Sequence, residues 1–211
     1  MLQLYNRERS GNCYKARLML ALLGLEYEKI VVNRVGKGRN ILPPDFEKLN
    51  PLRQLPVLID DGKPYWGTIA ILVYLARKHG GETWLPLDAP GEAEVTQWLS
   101  LAQNEIFYGL GRARSMRASR WHGYGTLDEA HAIADVALCA LEGRLAEHDW
   151  LALDRLTIAD VACYSYTIFA PEGGISLKLY PAVRAWLARI QALPRYLPPP
   201  AYDGTGGPLV E

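Results

Sequence analysis

Cysteine is scarce in this chain of 211 residues: there are three, Cys13, Cys139 and Cys163. An odd number at wide spacing, with no C-x-x-C pair and no Cys/His cluster at zinc-ligand spacing, provides neither a disulfide framework nor a metal knuckle, and reduced cytosolic thiols fit it best. Charge of one sign is lacking too. Lys+Arg 23 balance Asp+Glu 23, so the chain as a whole offers no general attraction to nucleic acid or to an anionic membrane. No apolar run approaches membrane-spanning length. The start, MLQLYNRERSGNCYK, turns polar after five residues, unlike a signal or transit peptide. His79, His122, His131 and His148 have no spacing that suggests a metal site. What is plentiful is apolar side chain, 49% of residues, which suffices for the core of one large or two small domains. A globular cytoplasmic protein is expected.

The hydrophobic period divides the chain in two. Leu2 and Leu4 alternate with polar neighbours as a first strand, and Ala16 to Leu23 is apolar nearly all round, as in a buried helix closed by Gly24. A second strand covers Tyr27 to Val32, and a short helix opening at Pro44 is expected over Asp45 to Leu49. Gln54 to Ile59 and Lys63 to Trp66 flank Asp60-Asp61-Gly62, a hairpin because Asp-Gly supplies the positive φ angles of a tight turn. A helix capped by Thr68 follows, with Ile69, Leu72, Val73 and Ala76 on one stripe. Turn formers then accumulate at Gly80-Gly81 and from Pro86 to Gly91, and beyond them every periodic segment is helical. The stripes are Val95, Trp98, Leu99, Ala102 and Ile106, then Ala130 to Leu145, then Val183, Trp186, Leu187 and Ile190. Thr157-Ile-Ala-Asp160 has capping-box spacing. The expected division is 1–80 (βαβαββα), a linker 81–91, an all-helical domain 92–197 and a flexible Pro/Gly-rich tail 198–211.

Three places carry candidate chemistry. Ser10 and Asn12 precede the first helix, where such residues serve as ordinary caps and where the helix dipole also favours an anion. Cys13, in the first helical turn, has its thiolate favoured by the same dipole, although a buried packing role is the commoner use of a free cysteine. Thr68 and the free N–H groups behind it form a second helix-start anion site. Pro56 by itself reads as an edge-strand proline.

The segments Ser10-Gly-Asn-Cys-Tyr-Lys-Ala-Arg17, Asn50-Pro-Leu-Arg-Gln-Leu-Pro56, Trp66-Gly-Thr-Ile-Ala-Ile-Leu-Val-Tyr-Leu75 and Leu156-Thr-Ile-Ala-Asp160 occur in this order and span nearly the whole chain. Together they resemble the glutathione transferase family, in its bacterial-type, serine-dependent, cytosolic form. The resemblance implies an α/β thioredoxin-like N-terminal domain, an all-α C-terminal helical bundle and a homodimer. It implies glutathione as co-substrate, no metal, and conjugation of the glutathione thiolate to a small hydrophobic or aromatic electrophile. Ser10 would hydrogen-bond the sulfur with help from Asn12, and Cys13 is the rival nucleophile. Gln54, Leu55, a cis Pro56, Gly67 and Thr68 would hold the peptide, with Arg39 and Lys37 toward its glycyl carboxylate. Tyr108 and Arg112 would face the electrophile, within a basic stretch of Arg112, Arg114, Arg117 and Arg120 suited to an acidic one. One position departs from the family: Gly67 stands where an acidic residue is usual. A glutathione-dependent isomerase, dehalogenase, ether-cleaving enzyme or thiol transferase, and a non-catalytic ligand-binding protein, therefore stay open beside the transferase.

Overall fold

The computed structural model describes residues 1–33, 40–118 and 123–200. Strands β1 (Leu2–Asn6), β2 (Tyr27–Val31), β3 (Val57–Asp60) and β4 (Lys63–Trp66) form one sheet in the order β2-β1-β3-β4. β1 runs parallel to β2 and antiparallel to β3, and β3 and β4 make the hairpin. Its turn is the one the sequence calls for, with Asp61 at φ 50 and Gly62 at φ 77. Period-two alternation assigns the two faces of the sheet: Leu4 and Leu58 join the main core, while Val57 and Ile59 pack with Phe46 and Tyr5 on the opposite side.

Helix α1 (Gly11–Leu23) crosses from β1 to β2 and is capped at both ends. Ser10 accepts from the Cys13 N–H at its start, and Gly24 ends it in the left-handed region, where the Gly24 N–H reaches Ala21 and the Leu25 N–H reaches Leu20. These two bonds satisfy carbonyls the helix itself leaves open. The expected second helix is shorter than its pattern suggests. Residues 46–48 make a single 3-10 turn, since Asp45 stands at φ 61 and breaks any helical run from Pro44, while Phe46 is drawn under the sheet.

Helix α2 (Thr68–Leu75) corrects a second expectation. Gly67, at φ 82 and ψ 117, is the capping position, and Thr68 is the first helical residue and is buried. The fully buried face is accordingly Ile71, Leu72, Leu75 and Ala76, with Ile69 and Val73 only half-buried. The helical half begins at α3 (Ala89–Gln103), where Asp88 accepts from the Gly91 N–H. A wide π-type turn, Phe107–Gly111, leads into the short α4 (Arg112–Arg117). Then come α5 (Leu127–Leu145), α6 (Ile158–Ile168) and α7 (Pro181–Gln191).

Helix α6 is buried along its whole length and packs on α1, α2 and α3, so it joins the two halves. The capping box expected at its start is present. Asp160 accepts from the Thr157 N–H at 2.9 Å, and also from the Leu151 N–H and Trp186 Nε1 at 3.2 and 3.0 Å. Burial pushes its carboxyl up to about 6 against the pull of those hydrogen bonds. Among the described residues no helix is long and apolar enough to cross a membrane.

Candidate active site

The loop from β1 to α1 is held rigidly from below. Arg17, one turn into α1 and buried, donates to Asn6 Oδ1 at 2.9 Å, to the Glu8 carboxylate at 2.8 Å and to the Glu8 carbonyl at 2.8 Å. This network fixes the residues leading to Ser10. From above, Ser165 of α6 donates to the Gly11 carbonyl at 2.7 Å, a contact worth about 1 kcal/mol. The Tyr166 ring lies so close to Gly11 that a Cβ there would stand 2.4 Å from it. Glycine in the Ser10-Gly-Asn-Cys segment is thus a requirement of α6, a residue pairing 155 positions away that local patterning has no means of showing.

Ser10 opens onto a small pocket of about 60 Å³ walled by Arg7, Arg9 and Gly11 on one side and by Arg114, Ser115 and Tyr166 on the other. Its Oγ accepts from the Cys13 N–H at 3.3 Å. Asn12 makes no hydrogen bond to Ser10, and its Oδ1 is buried without a partner. Cys13 is completely buried, its sulfur accepts from the Arg7 N–H at 3.5 Å, and burial pushes its thiol up despite the hydrogen bond from Ser10. A thiol so placed stays protonated and packs as a small apolar group.

The other predicted positions lie around the ends of β3 and α2. The Leu55–Pro56 bond is cis, and the adjoining Val57 pairs with Tyr5 and Trp66. The preceding loop is pinned by Asn50, buried, which donates to the Gln54 carbonyl and accepts from the Leu52 N–H, both at 2.9 Å. Gly67 and Thr68 present the N-terminal N–H groups of α2. Arg39 and Lys37, and with them Arg120 and His122, lie outside the described residues.

On the helical side two of the expected electrophile contacts stand apart from this small pocket. Tyr108 is 46% exposed and Arg112 turns toward Glu129 at 4.0 Å; neither walls the pocket. Arg114 does instead. Its guanidinium stacks on Phe169 at 3.8 Å, donates to Glu172 at 2.7 Å and to the Arg9 carbonyl at 3.1 Å, and has its Nη2 buried without an acceptor. Burial pushes the Tyr166 hydroxyl up to about 12, so it remains a donor.

A serine at the start of a helix behind a parallel βαβ unit, a cis-proline entering the next strand and a helical half that closes the pocket form a known arrangement. The family models for the glutathione S-transferase N-terminal and C-terminal domains match residues 9–78 and 125–194. A solved glutathione S-transferase from Pseudomonas fluorescens Pf-5 superimposes with a TM-score of 0.84 at 34% identity, covering 93% of this chain and 98% of its own. The chain belongs to the glutathione S-transferase family. Within that family it is also similar to the disulfide-bond oxidoreductase YfcG of Escherichia coli, at 29% identity over 87% of both chains. Maleylacetoacetate isomerase of Pseudomonas aeruginosa is 27% identical, over 87% of this chain and 88% of that one. Members with different names thus share the transferase fold.

Proposed function

We propose that the protein is a glutathione transferase in which Ser10 stabilises the glutathione thiolate for attack on a small electrophile. The observation that carries this reading is the placement of Ser10. It caps a helix of 13 residues and borders the pocket, where its hydroxyl can donate to a bound sulfur. The helix dipole and the Arg7 and Arg114 guanidiniums add positive potential where the sulfur anion would sit. In this reading Leu55 and Pro56 offer backbone groups to the extended peptide, as a sheet edge does, and the N–H groups at Thr68 take the γ-glutamyl carboxylate. Gly67 contributes no side chain there. In this reading Asn12 does not orient the hydroxyl, and the buried Cys13 takes no part in thiol transfer.

The same reading makes the protein a cytoplasmic homodimer. Its apolar contact surface would include Leu52 and Trp66, both exposed. The test is Ser10→Ala, followed by the ultraviolet absorbance of bound thiolate and by turnover of an aryl halide. Loss of the oxygen is expected to weaken thiolate formation and to lower kcat by about 10²-fold or more. Unchanged thiolate absorbance and turnover would refute the assignment, and a collapse of both in Cys13→Ser alone would transfer the role to the cysteine.

A further inference from the structure

The pocket beside Ser10 has a wall unlike that of a cavity for purely apolar compounds. Arg7, Arg9 and Arg114 all line it, together with two serines and the Tyr166 hydroxyl group's ring. The Glu172 carboxylate, its side chain buried, reaches Arg9 at 3.4 Å and Arg114 at 2.7 Å. Arg7 has a neutral partner, donating to Asn40 Oδ1 at 3.0 Å. Arg114 is nine-tenths buried, its side chain 9% exposed, and it is incompletely satisfied because Nη2 has no acceptor. A buried guanidinium nitrogen without an acceptor is costly, and a second cation in the same half-enclosed space adds repulsion. Both costs are relieved by an anion entering from the pocket, and the planar fork of Arg114 matches a carboxylate.

The side of Ser10 on which this happens matters. Apart from Ser10, the described residues proposed to hold glutathione lie at the ends of β3 and α2, and none of these lines the pocket. The guanidinium cluster is built from the β1–α1 loop and from α4, on the helical side of the hydroxyl.

We infer that the pocket selects an electrophile bearing a carboxylate, which Arg114 and Arg7 bind so that its reactive carbon faces the sulfur held by Ser10. This rests on the transferase reading above and narrows its acceptor from a neutral aromatic compound to a small acid. For an aryl halide of this class the thiolate sulfur forms the new bond to the ring carbon, chloride leaves with the electron pair of the broken bond, and no oxidant or reductant is consumed. Glu172, as the counter-charge, tempers the site and positions Arg114.

The experiment compares two unreactive, nearly isosteric probes, 3,5-dinitrobenzoate and 3,5-dinitrobenzamide. Their binding to the intact protein is measured by calorimetry, with and without saturating S-methylglutathione. The acid is expected to bind about tenfold more tightly than the amide in both conditions. That preference should fall below about threefold in Arg114→Met and in Arg7→Met, and should grow in Glu172→Gln, which removes the counter-charge while keeping the shape. Equal affinities of the two probes for the wild type would overturn the inference. So would a preference unchanged in both arginine variants, and so would one abolished by S-methylglutathione, which would assign the anion site to glutathione itself. These outcomes do not depend on turnover, so a failed Ser10→Ala test sinks the transferase reading without deciding this one.

Discussion

Lys15 is the side chain whose replacement tests the energetics of the structure most sharply. It lies on α1 at the interface with α6, is 0% exposed, and its Nζ has no hydrogen-bond partner. The groups it faces are the Tyr166 ring, 5.1 Å away, and the buried Cys163 thiol, whose own ionisation is pushed far up by burial. Neither supplies a counter-charge at neutral pH, and burial pulls the Lys15 ammonium down from 10.5 to about 8. Each pKa unit corresponds to about 1.4 kcal/mol, so the charged lysine costs the folded state on the order of 3 kcal/mol at neutral pH. The cation–π contact returns about 1 kcal/mol. Lys15→Met, which keeps a straight chain of similar length, is therefore expected to stabilise the protein by about 2 kcal/mol, or roughly 4–8 °C in Tm. The pH dependence identifies the cause. Below about pH 8 both folded and unfolded chains hold the proton and the full cost is felt. From about 8 up to 10.5 the folded chain has released it while the unfolded chain keeps it, so the wild type gains stability with rising pH and the advantage of methionine shrinks. Urea unfolding of both proteins at neutral pH and again near the upper end of that window measures this directly. A methionine variant no more stable than wild type, or one whose advantage is the same at both pH values, would refute the reasoning.

Other substitutions test separate parts of the structure. Gly11→Ala forces a Cβ to within 2.4 Å of the Tyr166 ring and is expected to lose about 1–3 kcal/mol in thermal unfolding; a silent substitution would mean that α6 does not press on the site. Asp160→Ala strands the Thr157 and Leu151 N–H groups and the Trp186 indole in the core, and should cost about 3–5 kcal/mol by urea midpoint, with a loss under about 1 kcal/mol counting against the buried network. Gly67→Ala meets open space, its nearest contact being 3.9 Å from Ala70, yet must adopt φ 82, so a loss of about 1–2 kcal/mol from backbone strain alone is expected. Gly67→Glu should carry the same stability loss in denaturation while tightening glutathione binding in calorimetry, and an unchanged affinity would remove the glutamyl end of the ligand from that position.

Local patterning reads elements whose burial follows from neighbours in the chain. The α7 stripe of Val183, Trp186, Leu187 and Ile190 is buried as its spacing requires, and Asp61-Gly62 turns as its chemistry requires. Thr157 and Asp160 cap α6 for the same reason. The cis bond at Pro56 follows from the family resemblance rather than from any local signal. What the sequence hides is set by distant contacts. Within the basic stretch of Arg112, Arg114 and Arg117, it is Arg114 that walls the pocket while Arg112 faces Glu129, a helix phase set behind the wide turn at Phe107–Gly111. Lys15 and Arg17 look like the solvated edge of an apolar helix, yet α6 covers one and the β1–α1 loop the other. Tyr166 lies in a run that reads simply as buried, and nothing local marks it as part of the pocket wall.

The double hold of α6 on the first turn of α1, through Ser165 on the Gly11 carbonyl and Tyr166 against its Cα, bears on how this protein can be re-engineered. Side chains at 7, 9 and 115 border the pocket without gripping the helix start, so they form a set that can be randomised to seek new substrates, whereas Arg114 also holds the Arg9 carbonyl. Positions 165 and 166 belong to the chassis. Under the role proposed for Ser10, a library that varies them would shift its hydroxyl along with the shape of the pocket, and the losses would be misread as poor substrate fit.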